Sequence, residues 1–286
     1  MSAATPALLA ALGSAVGWSL YDLFRRFLAG RMTAWTLVVW VTLPALPLIL
    51  LWGALGEGWR IDDGYLAPGL ASVLLNIAAN FLYFRAFQLS GLSVTLPMLS
   101  LTPVFSSLFG ALALGEPLTA RASAGIACVV VGAFRLSTGG GRRPFASVEP
   151  GSLVMGLVAL CWSATLLLDK LALARSSTPT HALVLNAGVA IGGLAALLAR
   201  GRGAELRAVR GSFGILALAV VAGVVALATQ LVAIQSIAIG LVETLKRGVG
   251  GLFAVVWGRA FFDEPVTPSK LLAIGLLVAG VALILV

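Results

Sequence analysis

Apolar residues in this chain run in long blocks, not in the short alternations of a water-facing domain. A membrane-crossing helix needs roughly 20 mostly apolar residues. Ten blocks of that order follow one another, at about 7–28, 33–55, 66–89, 92–114, 119–137, 151–174, 179–200, 212–236, 239–262 and 268–286; they are numbered here spans 1 to 10. The gaps are short and carry turn chemistry, most clearly Gly56-Glu57-Gly58, Gly139-Gly140-Gly141-Arg142-Arg143-Pro144 and Gly201-Arg202-Gly203. No gap is long enough for a water-soluble domain. The pattern predicts an all-α integral membrane protein of ten transmembrane helices. Its opening stretch, MSAATPALLAALGSAVGW, lacks the cationic start of a signal peptide and is expected to be a retained first helix.

The polar punctuation repeats. Residues 104–134 align with 252–282 at an offset of 148, with identities at Phe105/Phe253, Gly110/Gly258, Glu116/Glu264, Pro117/Pro265, Thr119/Thr267 and Gly132/Gly280. Earlier in each half, Trp18-Ser19 matches Trp162-Ser163. Five spans per half is an odd number, so the second half enters the bilayer from the opposite side. Such inverted repeats build alternating-access transporters. The expected division is 1–137 for the first five-helix repeat, 138–150 for a connecting loop and 151–286 for the second repeat. At the corners, Pro117 and Pro265 sit where a missing N–H costs nothing. Thr119 and Thr267 are candidate N-caps for spans 5 and 10, and Glu116 and Glu264 are placed to satisfy open N–H groups at a helix start.

The duplicated ten-helix plan, the two Trp-Ser pairs and the Gly-Glu-Pro and Asp-Glu-Pro corners resemble the drug/metabolite transporter superfamily, EamA type. That resemblance covers essentially the full chain. It implies secondary transport of small metabolites or drugs without a cofactor, and leaves the substrate open.

Composition agrees with the block pattern. Of 286 residues, 60% are hydrophobic and 10% charged, against about 25% charged in a soluble domain. A mean hydropathy of +1.05 excludes a soluble fold, a disordered chain and a nucleic-acid binder. The expected partners are the lipid bilayer and a small-molecule metabolite, the location is the cell (inner) membrane, and the assembly is a monomer or homodimer. Cys128 and Cys161 lie in apolar runs and read as small buried hydrophobes. His181 is the only histidine, which argues against a zinc site, a Ser-His-Asp triad and a His proton relay. No metal or catalytic set is expected, and no GxxxxGK[ST], HExxH, Cys-x-x-Cys, G-x-S-x-G or TVGYG motif occurs.

Ionisable groups at bilayer depth cost roughly 2.5–3.5 kcal/mol on insertion scales, so they mark function by default. Span 9 carries Glu243, Lys246 and Arg247, at i, i+3 and i+4 on one face. One carboxylate cannot neutralise two cations, and the remaining positive charge calls for an anion. The Lys-Arg pair followed by glycine resembles the pair by which triose-phosphate translocators hold phosphate, which implies that Lys246 and Arg247 bind an anionic group. Glu243 departs from that pattern and is a candidate for taking up a proton as substrate leaves. Span 4 is uncharged but polar, with Thr95, Ser100, Thr102, Ser106 and Ser107 around Pro97 and Pro103, which should break or kink it. Span 3 sets Asn76, Asn80 and Tyr83 on one face, and span 8 offers Gln230 and Gln235 at comparable places. Trp18 and Trp162 are expected to wall the pocket. Asp22 with Arg25 and Arg26, and Asp169 with Lys170, are expected to snorkel and self-pair near helix ends.

The expected function is secondary active transport of a small anionic or zwitterionic metabolite, proton-coupled or by exchange. The alternatives are an integral-membrane enzyme or flippase for lipid-linked phosphates, or a channel. Of the 19 Lys and Arg residues, thirteen flank the loops opposite the termini and four lie on the termini side, with Lys246 and Arg247 inside span 9. Positive loops face the cytoplasm, so the count places both termini outside, whereas the resemblance implies both inside. A compartment reporter fused after Val286 checks this: the charge count predicts activity only of a reporter that works outside the cytoplasm.

Overall fold

The computed structural model describes the chain except for residues 1–3, 30, 90–95, 139–148, 210, 264 and 286. Thr95, Glu264 and the Gly139–Pro144 corner therefore lie outside the described residues. Span 1 is Ala4–Ala29, span 3 Leu66–Leu89 and span 5 Ala120–Thr138. Spans 6 to 10 are Pro150–Leu173, Thr178–Ala199, Phe213–Ser236, Ile239–Phe262 and Pro268–Leu285. Among the described residues the chain is helical apart from turns and one isolated bridge, Ile61 to Ser176. Six stretches among the described residues, counting Trp35–Leu55 as one, are long and apolar enough to cross a membrane. Span 9 is as long, but carries Glu243, Lys246, Arg247 and Arg259.

Two spans are interrupted. Span 4 is a 3₁₀ turn, Leu96–Leu101, followed by a helix, Thr102–Leu114. Pro103 has no N–H for the carbonyl four residues back, and the Thr102 hydroxyl lies 2.9 Å from that carbonyl, Leu99 O. Span 2, expected to be continuous over 33–55, is instead Ala34–Thr42 and Ala45–Leu55. Pro44 breaks it by the same rule, and the Thr42 hydroxyl donates to Val38 O at 2.7 Å. The mid-span proline was visible in the sequence, but the apolar block hid its effect.

The exterior is apolar and the interior carries the polar groups. Leu55, Leu66, Leu112, Phe213 and Leu271 are exposed, while Ser14, Ser72, Ser163, Asp169, His181, Gln230, Glu243 and Thr244 are buried. A bilayer solvates such a molecule, and water does not.

The two halves pack on each other more than on themselves. Span 1 lies on spans 8 and 9, and span 6 correspondingly on spans 3 and 4. Spans 2 and 7, 4 and 9, and 5 and 10 pair across the halves. Exchanging each span with its repeat mate largely reproduces this pattern. The corners obey it too: Gly115 and Asp263, 148 apart, are both left-handed (φ 64° and 50°) and close onto Gly110 O and Gly258 O. Glycine adopts that backbone freely, and aspartate is among the few others that do. Thr119 and Thr267 accept from the N–H groups of Ala122 and Lys270 at 3.1 and 3.3 Å, the capping expected of them.

One face, formed by the termini and the 2–3, 4–5, 6–7 and 8–9 corners, is knitted across the halves. Asp62 N–H donates to Arg175 O at 2.8 Å and Ser177 N–H to Arg60 O at 3.0 Å. Glu57 accepts from Thr178 N–H at 2.8 Å. Lys170 pairs with Glu116 at 2.6 Å and donates to Ile237 O at 3.1 Å, while the other Glu116 oxygen caps span 9 at Ile239 N–H, 3.0 Å away. Glu116 thus stabilises a helix start, as expected, but that of span 9 and not of its own corner.

Spans 5 and 10 cross at Gly125 and Gly280, where a Cβ on Gly280 would sit 2.7 Å from Gly125 O. Overpacking of that kind costs typically 1–3 kcal/mol. Gly280→Ala should therefore lower the thermal midpoint in detergent, and Gly275→Ala, with nothing within 4 Å of its new Cβ, should leave it unchanged.

Candidate functional site

Where span 9 passes the break in span 4, Glu243 is 2% exposed and holds both cations. Its Oε2 is 2.5 Å from Lys246 Nζ and its Oε1 is 2.9 Å from Arg247 Nε. The helical spacing makes this arrangement local, since i+3 and i+4 share the face of i. Thr102, at the start of the helical part of span 4, completes it: its hydroxyl lies 2.8 Å from Glu243 Oε1 and accepts from Arg247 Nε at 3.0 Å. A hydroxyl has one proton to give, so Thr102 donates either to Glu243 or to the Leu99 carbonyl that Pro103 left open.

Span 1 and span 8 supply a second wall. Gln230 Oε1 accepts from Trp18 Nε1 at 2.8 Å and from Lys246 Nζ at 3.2 Å. Lys246 Nζ also stands 5.7 Å from the centre of the Trp18 ring. Trp18 meets Tyr21 edge-on, and Arg25 lies over the Tyr21 ring. The cluster therefore draws on spans 1, 4, 8 and 9.

Asp22 and Arg25 lie farther along span 1 than Trp18 and Tyr21. They do self-pair, at 3.6 Å. Asp22 also feels the charges of Lys246 and Arg247 as well as Arg25. Tyr83, from span 3, feels Arg25, Asp22 and Arg247 and stacks at a tilt on Trp162 of span 6, with ring centroids 5.6 Å apart. The Asp22 side chain is nonetheless 70% accessible.

Other expected residues are placed differently. Asn76 and Asn80 donate to carbonyls one turn back in span 3, Ser72 O at 3.1 Å and Asn76 O at 2.8 Å. Ser100 is buried in the 3₁₀ turn. Gln235 bonds Thr178, on the termini face, so it is not a partner of Gln230. A cleft of about 410 Å³ lined by Gly64, Ala67, Pro68, Leu168, Leu171 and Arg175 lies on that same face, apart from the cluster.

Asp169 and Lys170 do not self-pair. Lys170 turns to Glu116, and Asp169 turns inward to His181 and Ser72. His181 is fully buried, with Tyr65 on its other nitrogen at 3.1 Å. The lone histidine thus has a polar partner on each ring nitrogen, which sequence could not reveal because Tyr65 is 116 residues away. Burial, with the Asp169 charge beyond the imidazole, pushes the Tyr65 phenol up to about 12, so Tyr65 stays neutral at ordinary pH. On the opposite face, hydrogen bonding from Thr33, helped by Arg202, holds the Glu205 carboxyl below its usual range.

With this geometry in place, comparison with known proteins gives a direct result. A model of the EamA-like transporter family matches residues 5–138 and again 149–286. The chain belongs to the EamA-like transporter family. It is therefore a multi-pass membrane transporter of the drug/metabolite kind, built from two repeats of one five-helix unit. A crystal structure of a protein with 21% sequence identity covers 97% of this chain and 96% of its own, with a TM-score of 0.77; at that identity the likeness concerns the fold. No curated protein matches the sequence.

In this EamA-like protein, removing the Glu243 charge leaves two partly buried cations facing each other. Loss of one member of a buried ionic group costs about 3–5 kcal/mol. Glu243→Gln should therefore lower the thermal midpoint in detergent, and added inorganic phosphate should recover more of that loss in the variant than in the wild type.

Proposed function

We propose that this transporter carries a small organic anion or zwitterion, gripped through its acid group by Arg247 and Lys246, by alternating access between its two halves. One observation carries the reading. Arg247 spends only Nε on Glu243 and Thr102; among the described residues, no hydrogen bond engages Nη1 or Nη2. Its side chain is 26% accessible, and beside it Lys246 shares the same single carboxylate. A planar fork with two free donors fits a carboxylate or phosphate bidentately, and lysine adds a point charge.

Glu243 acts in this reading as a stand-in anion. It keeps the pair from standing unpaired when the cavity is empty, and it yields part of its hold when substrate arrives. A proton on Glu243 would strip both cations of the one carboxylate they pair with among the described residues, which favours a counter-ion role over the proton carriage expected from sequence. Thr102 supports the exchange, because its hydroxyl can turn from Glu243 to the Leu99 carbonyl. Trp18 and Tyr83 offer aromatic surface for the rest of the molecule. The break in span 4 supports a site at this depth, since transporters place discontinuous helices at substrate. Closure of the termini face, with an accessible Asp22 toward the other end of span 1, supports a conformation open on one side.

Counterflow in proteoliposomes tests this. Arg247→Ala is expected to reduce uptake of an anionic substrate at least about 100-fold, the scale of a lost bidentate charge-assisted contact of about 3 kcal/mol. Arg247→Lys should recover only part, because a point charge does not replace the fork. Unchanged counterflow in Arg247→Ala contradicts the reading.

A further inference from the structure

The most buried titratable cluster outside the anion site lies on the seam that closes the termini face. His181 Nε2 is 3.0 Å from Asp169 Oδ1, and His181 Nδ1 is 3.1 Å from the Tyr65 hydroxyl. Ser72 donates to the same Asp169 oxygen, and Asn76 in turn donates to Ser72 O at 3.1 Å. His181, Asp169 and Ser72 are 0%, 3% and 0% exposed. Asp169 and His181 belong to the second half, Tyr65 and Ser72 to the first. Two of the bonds therefore tie the halves together, and the anion site uses none of them.

Two protonation states fit these heavy-atom positions. With a neutral imidazole, Nε2–H donates to Asp169 and Nδ1 accepts from Tyr65; the buried group then carries one negative charge. With one more proton, both ring nitrogens donate, the Tyr65 hydroxyl accepts, and the imidazolium and carboxylate cancel. The charged groups nearby are committed elsewhere. On span 6, Lys170 is held by Glu116 and Ile237 O, and beyond it Arg175 borders the outer cleft. On the 2–3 corner, Arg60 pairs with Asp62, and Glu57 caps Thr178. The neutral Tyr65 comes from just before span 3, the neutral Ser72 and Asn76 from span 3, and the neutral Gln235 from span 8. An uncompensated carboxylate buried there costs several kcal/mol, so the closed seam favours the protonated pair.

We propose that the Asp169–His181 pair is a proton-binding site that couples transport to a proton gradient. The pair is protonated while the termini face is closed and gives up its proton when that face opens. The proton leaves from Nδ1 to entering water as the Tyr65 contact parts, while Nε2–H stays on Asp169; no other bond changes. This rests on the alternating-access reading above. Histidine changes charge between about pH 5 and 8. The stabilisation of the closed seam by the bound proton is present at the acid end of that range and lost as pH rises through it.

Because His181 is the chain's only histidine, histidine-selective ¹⁵N labelling in nanodiscs yields one imidazole signal. It is read beside hydrogen exchange at the Asp62 and Ser177 amides, which bond across the seam. In the wild type the imidazole signal should gain its proton together with the seam's protection. Seam protection, corrected for intrinsic exchange, should fall by up to about tenfold per pH unit, the limit for release of one proton. In His181→Gln the protection should not depend on pH, and Asp169→Asn should weaken the dependence while keeping the imidazole signal. An imidazole that takes no proton as the seam gains protection, or a wild-type response persisting in His181→Gln, overturns the proposal. Failure of the transport reading looks different: no anion shows saturable counterflow at any pH, although the seam still responds. Intact counterflow with an unresponsive seam removes the proton site alone.

Discussion

A single carboxylate shared by two cations governs the interior of this protein. Glu243 meets Lys246 and Arg247 on one helical face, and the spans around them are mostly apolar. In such surroundings ion pairs are expensive to assemble and more expensive to leave incomplete. The other features of the site follow from that constraint. Thr102 shares its hydroxyl with the group, and Gln230 takes up Lys246 and Trp18 together. In the proposed function, the guanidinium fork that Glu243 leaves open is what takes the acid group of the cargo.

The fold makes the arrangement possible by duplication. Each half is incomplete, because its spans pack mainly on those of the other half. The break in span 4 comes to rest against span 9, its repeat mate, and the site is asymmetric for that reason: one mate supplies the charges, the other a turn of open backbone. On the termini face, the seam is fastened by polar bonds between the halves, including Lys170–Glu116 and Tyr65–His181. Bonds of this kind are discrete and can be broken and remade. A continuous apolar interface would hold the halves together with no such points of release.

Much of this was legible in the sequence. Block length and composition gave the membrane class. The repeated Glu-Pro-x-Thr corners gave the duplication, and i, i+3, i+4 spacing put Glu243, Lys246 and Arg247 together, because those relations are local or periodic. What sequence reasoning missed depends on contacts across the halves. Thr102 was one of several hydroxyls in span 4, and only the crossing with span 9, 141 residues on, singles it out. Asp169 and Lys170 looked like a pair, but successive residues on a helix point apart, and each found a partner in the other half. The proline-broken span 2 was missed because hydropathy averages over a kink.

The account turns on the residual positive charge beside Arg247. Its most direct test is a thermal-shift panel on the detergent-solubilised protein, using size-matched anionic, zwitterionic, neutral and cationic metabolites. The wild type is run beside a Lys246→Ala/Arg247→Ala protein. The account predicts that acid-bearing ligands stabilise the wild type selectively and that the double variant loses this response. Equal stabilisation of both proteins by the anionic ligands would contradict it.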